Sequence, residues 1–287
     1  MPFYVYAWIA SICFGTIAII AKLTSKYAIS NAWLFNFLWA FFVLVFTLPI
    51  AMVNQIGRIT EWQNLLIAGI LSGLVYVFYI LALYRLEVSV LTPLFNFRTV
   101  FSVLFGAYLL NESITVEKFI LIGLIIIGGL FVSADEKLKL RSFFQKSIGI
   151  ALLLMVILSL MGVFVKKAMA NNGYWEVTLW INSISLIVLT PTIPFFRKEI
   201  HTLSIKQLGI VILIAIMGTL GTLASNRAYA ENVGISSAII SLPISMLLAF
   251  LLSLFAPKLL EKHTLKIYTI RFTAAVVMIF AALKLSL

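Results

Sequence analysis

The chain has 287 residues, 63% of them hydrophobic and 11% charged, with a formal net charge of +11. Soluble domains carry about 45–50% apolar and about 25% charged residues. A water-soluble fold around one core is therefore excluded, and lipid must be the solvent for much of the surface. The excess Lys and Arg falls mostly in short connections, which suits topology signals and anionic headgroups rather than nucleic acid.

Apolar runs near the ~20 residues that cross a bilayer predict five helical segments at 3–21, 33–53, 64–83, 89–110 and 115–133. Five more are predicted at 148–165, 175–196, 207–226, 234–256 and 266–286. The first run, from Phe3 to Ala21, lacks a basic n-region and reads as a retained helix rather than a leader. Between the sets lies a charged linker, 135–147, with Asp135, Glu136, Lys137, Lys139 and Arg141. Membrane-barrel strands would alternate over about 10 residues, so these long runs are helices. Cys13 stands alone in the first segment, and His201 and His263 lie in polar loops. No disulfide, metal site or cofactor is expected from them. The chain also has no Walker loop, nucleophile elbow or His/Asp/Glu cluster, which argues against an enzyme.

The second set of segments repeats the landmarks of the first. Trp33 and Trp39 in segment two answer Trp175 and Trp180 in segment seven, and Pro49 answers Pro191. Gly69 and Gly73 answer Gly218 and Gly221, Pro93 answers Pro243, and Glu112-x-x-Thr115 recurs as Glu261-x-x-Thr264. Five crossings per copy place the second copy upside down relative to the first. The expected fold is all-α and integral to the membrane, with ten transmembrane helices as two inverted five-helix repeats, 1–134 and 148–287. Thirteen Lys and Arg follow odd-numbered segments and six lie on the other face. The positive-inside rule puts the thirteen in the cytoplasm and both termini outside.

The five-plus-five layout, Ala82-Leu83-Tyr84 at the end of segment three, Leu110-Asn111-Glu112 before segment five and Leu259-Leu260-Glu261 before segment ten resemble the EamA family of the drug/metabolite transporter superfamily. The resemblance implies a ten-helix basket with a central cavity and transport of small metabolites such as amino acids. It also implies cytoplasmic termini, against the charge count, so orientation stays open. The family's proline usually lies nearer the glutamate than Pro93 or Pro243 do, which leaves the place of the bend open.

Ionisable residues at membrane depth are costly and mark function. Arg98 lies mid-way along segment four, too deep to snorkel, with no Asp or Glu at like depth. Its planar fork suits a carboxylate or phosphate, and its counterpart near Leu247 is aliphatic. Arg227, beside Asn226, reads equally as cavity rim or interfacial anchor, and Arg271 as a snorkelling residue. Ser72, Tyr76 and Tyr79 share one helical face, as do Ser237, Ser241 and Ser245 around Pro243. The serines also suit close helix packing, whereas buried phenols need partners. Asn96 lies between Pro93 and Arg98, and segments four and nine are expected to bend and face substrate. Trp33, Trp39, Trp62 and Trp175 read as interface anchors.

These readings predict an inner-membrane, multi-pass carrier of amino acids or other carboxylate-bearing solutes, working by alternating access. Its expected binding residues are Arg98, Asn96, Tyr76, Tyr79, Ser72, Arg227, Asn226, Ser241 and Ser245, with segments one, three, four, six, eight and nine lining the cavity. Expected partners are a small molecule with an anionic group and the bilayer. A flippase or exchanger for lipid intermediates or phosphorylated metabolites, and a non-transporting scaffold, are the competing readings.

Overall fold

A computed structural model describes residues 2–54, 56–110, 115–132, 144–242, 244–255 and 265–286. Pro243, the Asn111–Glu112 and Leu259–Glu261 turns, and the charged stretch 135–141 lie outside those residues, as does the side chain of Leu247.

All regular structure among the described residues is helical. The helices are α1 (Phe3–Tyr27), α2 (Ala32–Val53), α3 (Gln63–Arg85), α4 (Val88–Leu94), α5 (Phe97–Leu110), α6 (Val116–Val132), α7 (Lys146–Asn171), α8 (Tyr174–Leu189), α9 (Ile205–Glu231), α10 (Val233–Ile240), α11 (Ile244–Phe255) and α12 (Leu265–Ser286). Short 3-10 turns, 190–195 and 200–202, link α8 to α9. Helices are what a chain so poor in polar side chains can form in lipid, because each satisfies its own backbone groups. Among the described residues, nine stretches are long and apolar enough to span a bilayer, counting α4–α5 and α10–α11 as one each. The 17-residue α6 is the tenth apolar helix.

Segments four and nine are each broken. The first break falls at Phe95 and Asn96, beginning two residues after Pro93. Proline has no N–H to give, and the chain tightens around the gap with short-span bonds: Phe95 N–H donates to the Thr92 carbonyl, Asn96 N–H to Pro93 and Arg98 N–H to Phe95. The Asn96 side chain also donates to the Pro93 carbonyl at 2.9 Å. The second break follows α10, where Leu242 N–H donates to the Ile239 carbonyl.

The principal packing joins early helices to late ones: α3 against α7 and α8, α1 against α9, and α6 against α12. Small residues let these helices approach. A Cβ on Gly69 would lie 2.6 Å from Ile184 Cβ, and one on Gly73 2.6 Å from Val188 Cβ. The Ser185 hydroxyl bonds the Gly69 carbonyl across this seam. The outward face, with Phe119, Ile127, Val276 and Phe280 exposed, is apolar as lipid requires.

Polar clasps close the two ends of the bundle. On the face where α1 begins, the Asn172 side chain accepts from Thr60 N–H at 2.8 Å and Glu61 N–H at 3.2 Å, and donates to the Glu61 carbonyl at 3.0 Å. On the opposite face, Asn31 caps α2 through Trp33 and Leu34 N–H and donates to the Phe195 carbonyl and Glu199. Gln207, from the capping box that opens α9, donates to the Ala28 carbonyl on that face.

Two sequence readings are corrected here. Arg271 does not snorkel: it is 4% exposed, and its Nη1 lies 2.6 Å from both the Glu87 carboxylate and the Ser89 hydroxyl. Glu87 sits at the start of α4, 184 residues away in sequence, so the pair was invisible in the linear pattern. Trp39 is not an interface anchor: it is buried at 6% exposure in the bundle interior. Trp62, by contrast, is exposed and meets Trp180 edge-on at 5.0 Å.

Candidate substrate cavity

The helices surround a cavity of about 160 Å³ at mid-bundle. Its wall comes from α1 (Phe14, Gly15, Ile17, Ala18), α3 (Ser72, Val75, Tyr76, Tyr79), α4 to α5 (Thr92, Phe95, Arg98), α7 (Leu158, Met161, Val165), α9 (Gly218, Thr222, Ser225, Asn226, Tyr229) and the α10–α11 break (Ile240, Ser241, Leu242, Ser245). Two further segments contribute, α2 through Trp39 and α8 through Ile181 and Asn182.

Arg98 is the only charged residue among the described cavity-lining residues. It is 2% exposed, placed one residue into α5 after the break. Nη1 donates to the Tyr229 hydroxyl at 2.6 Å, and Nη2 to the Leu158 carbonyl at 3.1 Å. The guanidinium carbon lies 4.9 Å from the Tyr229 ring centroid, within cation–π range. A Cβ on Gly162 would come 3.2 Å from Nη2, so a small residue there leaves room for the guanidinium. The Ser159 hydroxyl bonds the Arg98 backbone carbonyl at 2.7 Å and anchors the start of α5 to α7. Arg98 Nε has no hydrogen-bond partner among the described residues.

Another part of the wall is aromatic. Trp39 meets Tyr76 edge-on with ring centroids 5.3 Å apart and Tyr79 at 5.7 Å; Tyr79 lies 6.4 Å from Phe95. Trp39 Nε1 and Ser241 Oγ are buried without a hydrogen-bond partner among the described residues. Asn182 donates to Thr47 at 3.1 Å and Asn226 to Thr178 at 3.3 Å, which fixes both amides at the wall.

Of the residues expected from the sequence, Arg98, Tyr76, Tyr79, Ser72, Asn226, Ser241 and Ser245 come together on this wall. Two do not. Asn96 is fully buried outside the lining, serving the helix break. Arg227 is exposed on α9, its guanidinium 5.8 Å from the Tyr174 ring centroid. Sequence reasoning missed Tyr229, Trp39 and Asn182. For Tyr229 and Asn226 the signal was available: three residues apart, they share a face of α9.

A multi-pass helical bundle enclosing a largely apolar cavity with convergent polar groups is built as a membrane transporter is built. Residues 1–134 match the model of the EamA-like transporter family. No curated protein matches the chain. A crystal structure is similar at a TM-score of 0.64 over 98% of this chain and 96% of its own, with 15% identity, a likeness of fold alone.

Proposed function

We propose that this protein is a secondary carrier of small carboxylate-bearing metabolites, amino acids foremost. The carrying observation is Arg98: a guanidinium at mid-bundle, on the cavity wall, with no carboxylate among the described lining residues. A buried cation of this kind needs a counter-charge, and its fork suits a carboxylate. The buried unpartnered groups on the same wall support this. Arg98 Nε and Trp39 Nε1 are pure donors and Ser241 can donate, so an occupant rich in acceptors relieves all three.

In this reading the cavity is reached from either face in turn, in a cell membrane, around two inverted five-helix repeats. The paired helix breaks beside the cavity and the polar clasps at both ends support such alternating access. The lipid flippase reading is less well served, since it uses Arg98 and Arg227 along one path and only Arg98 lies on the wall. Uptake into proteoliposomes across amino acids, other carboxylates, sugar phosphates and cations tests the proposal. Saturable carboxylate flux that falls at least tenfold in Arg98→Gln is expected. Saturable flux of cations alone, or carboxylate flux unchanged in Arg98→Gln, would overturn it.

A further inference from the structure

The hydroxyl of Tyr229 occupies a specific chemical position. It accepts a hydrogen bond from Arg98 Nη1 at 2.6 Å, and no described residue accepts the phenol's own proton. The ring cannot turn away. It is 2% exposed and packed in an apolar cluster with Val165, Val177 and Ile181. The residue lines the same cavity as Arg98. A phenol that accepts from a guanidinium is a polarised donor, and the cavity is where its proton can find an acceptor.

We infer that Tyr229 is a second substrate ligand, donating its phenolic proton to the anionic group that Arg98 holds. The inference rests on the carboxylate reading of Arg98 and sharpens it. Arg98 supplies charge and one donor direction, while Tyr229 supplies a neutral donor fixed beside it. Together they would engage two oxygens of a carboxylate. A primary amide of the same shape offers one oxygen and an N–H that would oppose the Tyr229 proton, so the pair selects acids over amides.

Tyr229→Phe keeps the ring, its packing and its cation–π contact, and removes only the hydroxyl. The test uses the full chain purified in detergent. Binding of acetate, phenylacetate and succinate is compared with that of their amides by tryptophan fluorescence and thermal shift. The expected result is wild-type preference for acids. Tyr229→Phe should weaken acids by roughly tenfold or more, the size of a lost hydrogen bond to a charged group, with amides unmoved and the unliganded unfolding temperature retained. Equal weakening of acids and amides would show a packing role and overturn the inference. Acid binding reduced by Arg98→Gln but untouched by Tyr229→Phe would overturn it while leaving Arg98 in place. Wild-type protein that binds none of the acids would remove both readings.

Discussion

Among the described residues, two arginines lie buried in the bundle and are stabilised differently. Arg271 has a carboxylate, Glu87, at 2.6 Å, while Arg98 has a phenol and a backbone carbonyl. Breaking a fully buried ion pair costs about 3–5 kcal/mol. The Glu87 side chain is 32% exposed, so Glu87→Gln should destabilise by less than that, about 2 kcal/mol, seen as a lower unfolding temperature in detergent. Arg98→Gln should leave stability nearly unchanged and act on transport, because Arg98 has no carboxylate partner to strand. Depth along the sequence pointed Arg98 inward, where it lies buried on the cavity wall, because a charge midway through an apolar run can go nowhere but inward. The same reasoning failed for Arg271, whose partner lies across the bundle and whose nearness to a helix end suggested escape to water. Trp39 failed likewise: position along a helix gives depth but not which way the ring points.

At the scale of helices, the ten apolar runs were legible to within about six residues at their ends because lipid punishes any other use of them. So were the two broken segments, since Pro93 removes a backbone donor wherever it falls in a helix. Which helices touch was not legible, because that is settled by small residues at seams. Gly73 shows the cost of changing one. Its missing Cβ would lie 2.6 Å from Val188 Cβ, so Gly73→Ala should force α3 from α8 at a cost of about 1–3 kcal/mol. Gly123→Ala is the control, with no neighbour within 4 Å of the added methyl. Equal unfolding temperatures for the two variants would show that the α3–α8 seam gives way easily.

For the whole molecule, the two clasps carry a trace of the proposed duplication. Asn31 and Asn172 are 141 residues apart, the same offset as Trp39 and Trp180. Each sits in the turn between the first two helices of its half and grips a loop of the other half, on opposite faces. A neutral hydrogen bond contributes about 1 kcal/mol net and one to a carboxylate such as Glu199 about 1.5–3 kcal/mol at most, so clasps of this kind close a face without locking it. In a Cys13→Ala background, a cysteine at Ser72 reports access to the cavity. Asn172→Ala should raise its alkylation from the face where α1 begins, and Asn31→Ala from the other face. Identical labelling patterns in the two variants would count against paired gates.

With Arg98 as the only formal charge on the described cavity wall, nothing on that wall travels with the solute to balance it. Net movement of a singly charged anion is then an electric current, and each crossing works with or against about 2.3 kcal/mol per 100 mV of membrane potential. A cell interior at negative voltage would drive such anions outward, making the protein an exporter by default, whereas one-for-one exchange of like anions would be blind to voltage. Imposing a potassium diffusion potential on loaded vesicles should therefore speed net efflux when the lumen is negative and leave exchange unchanged.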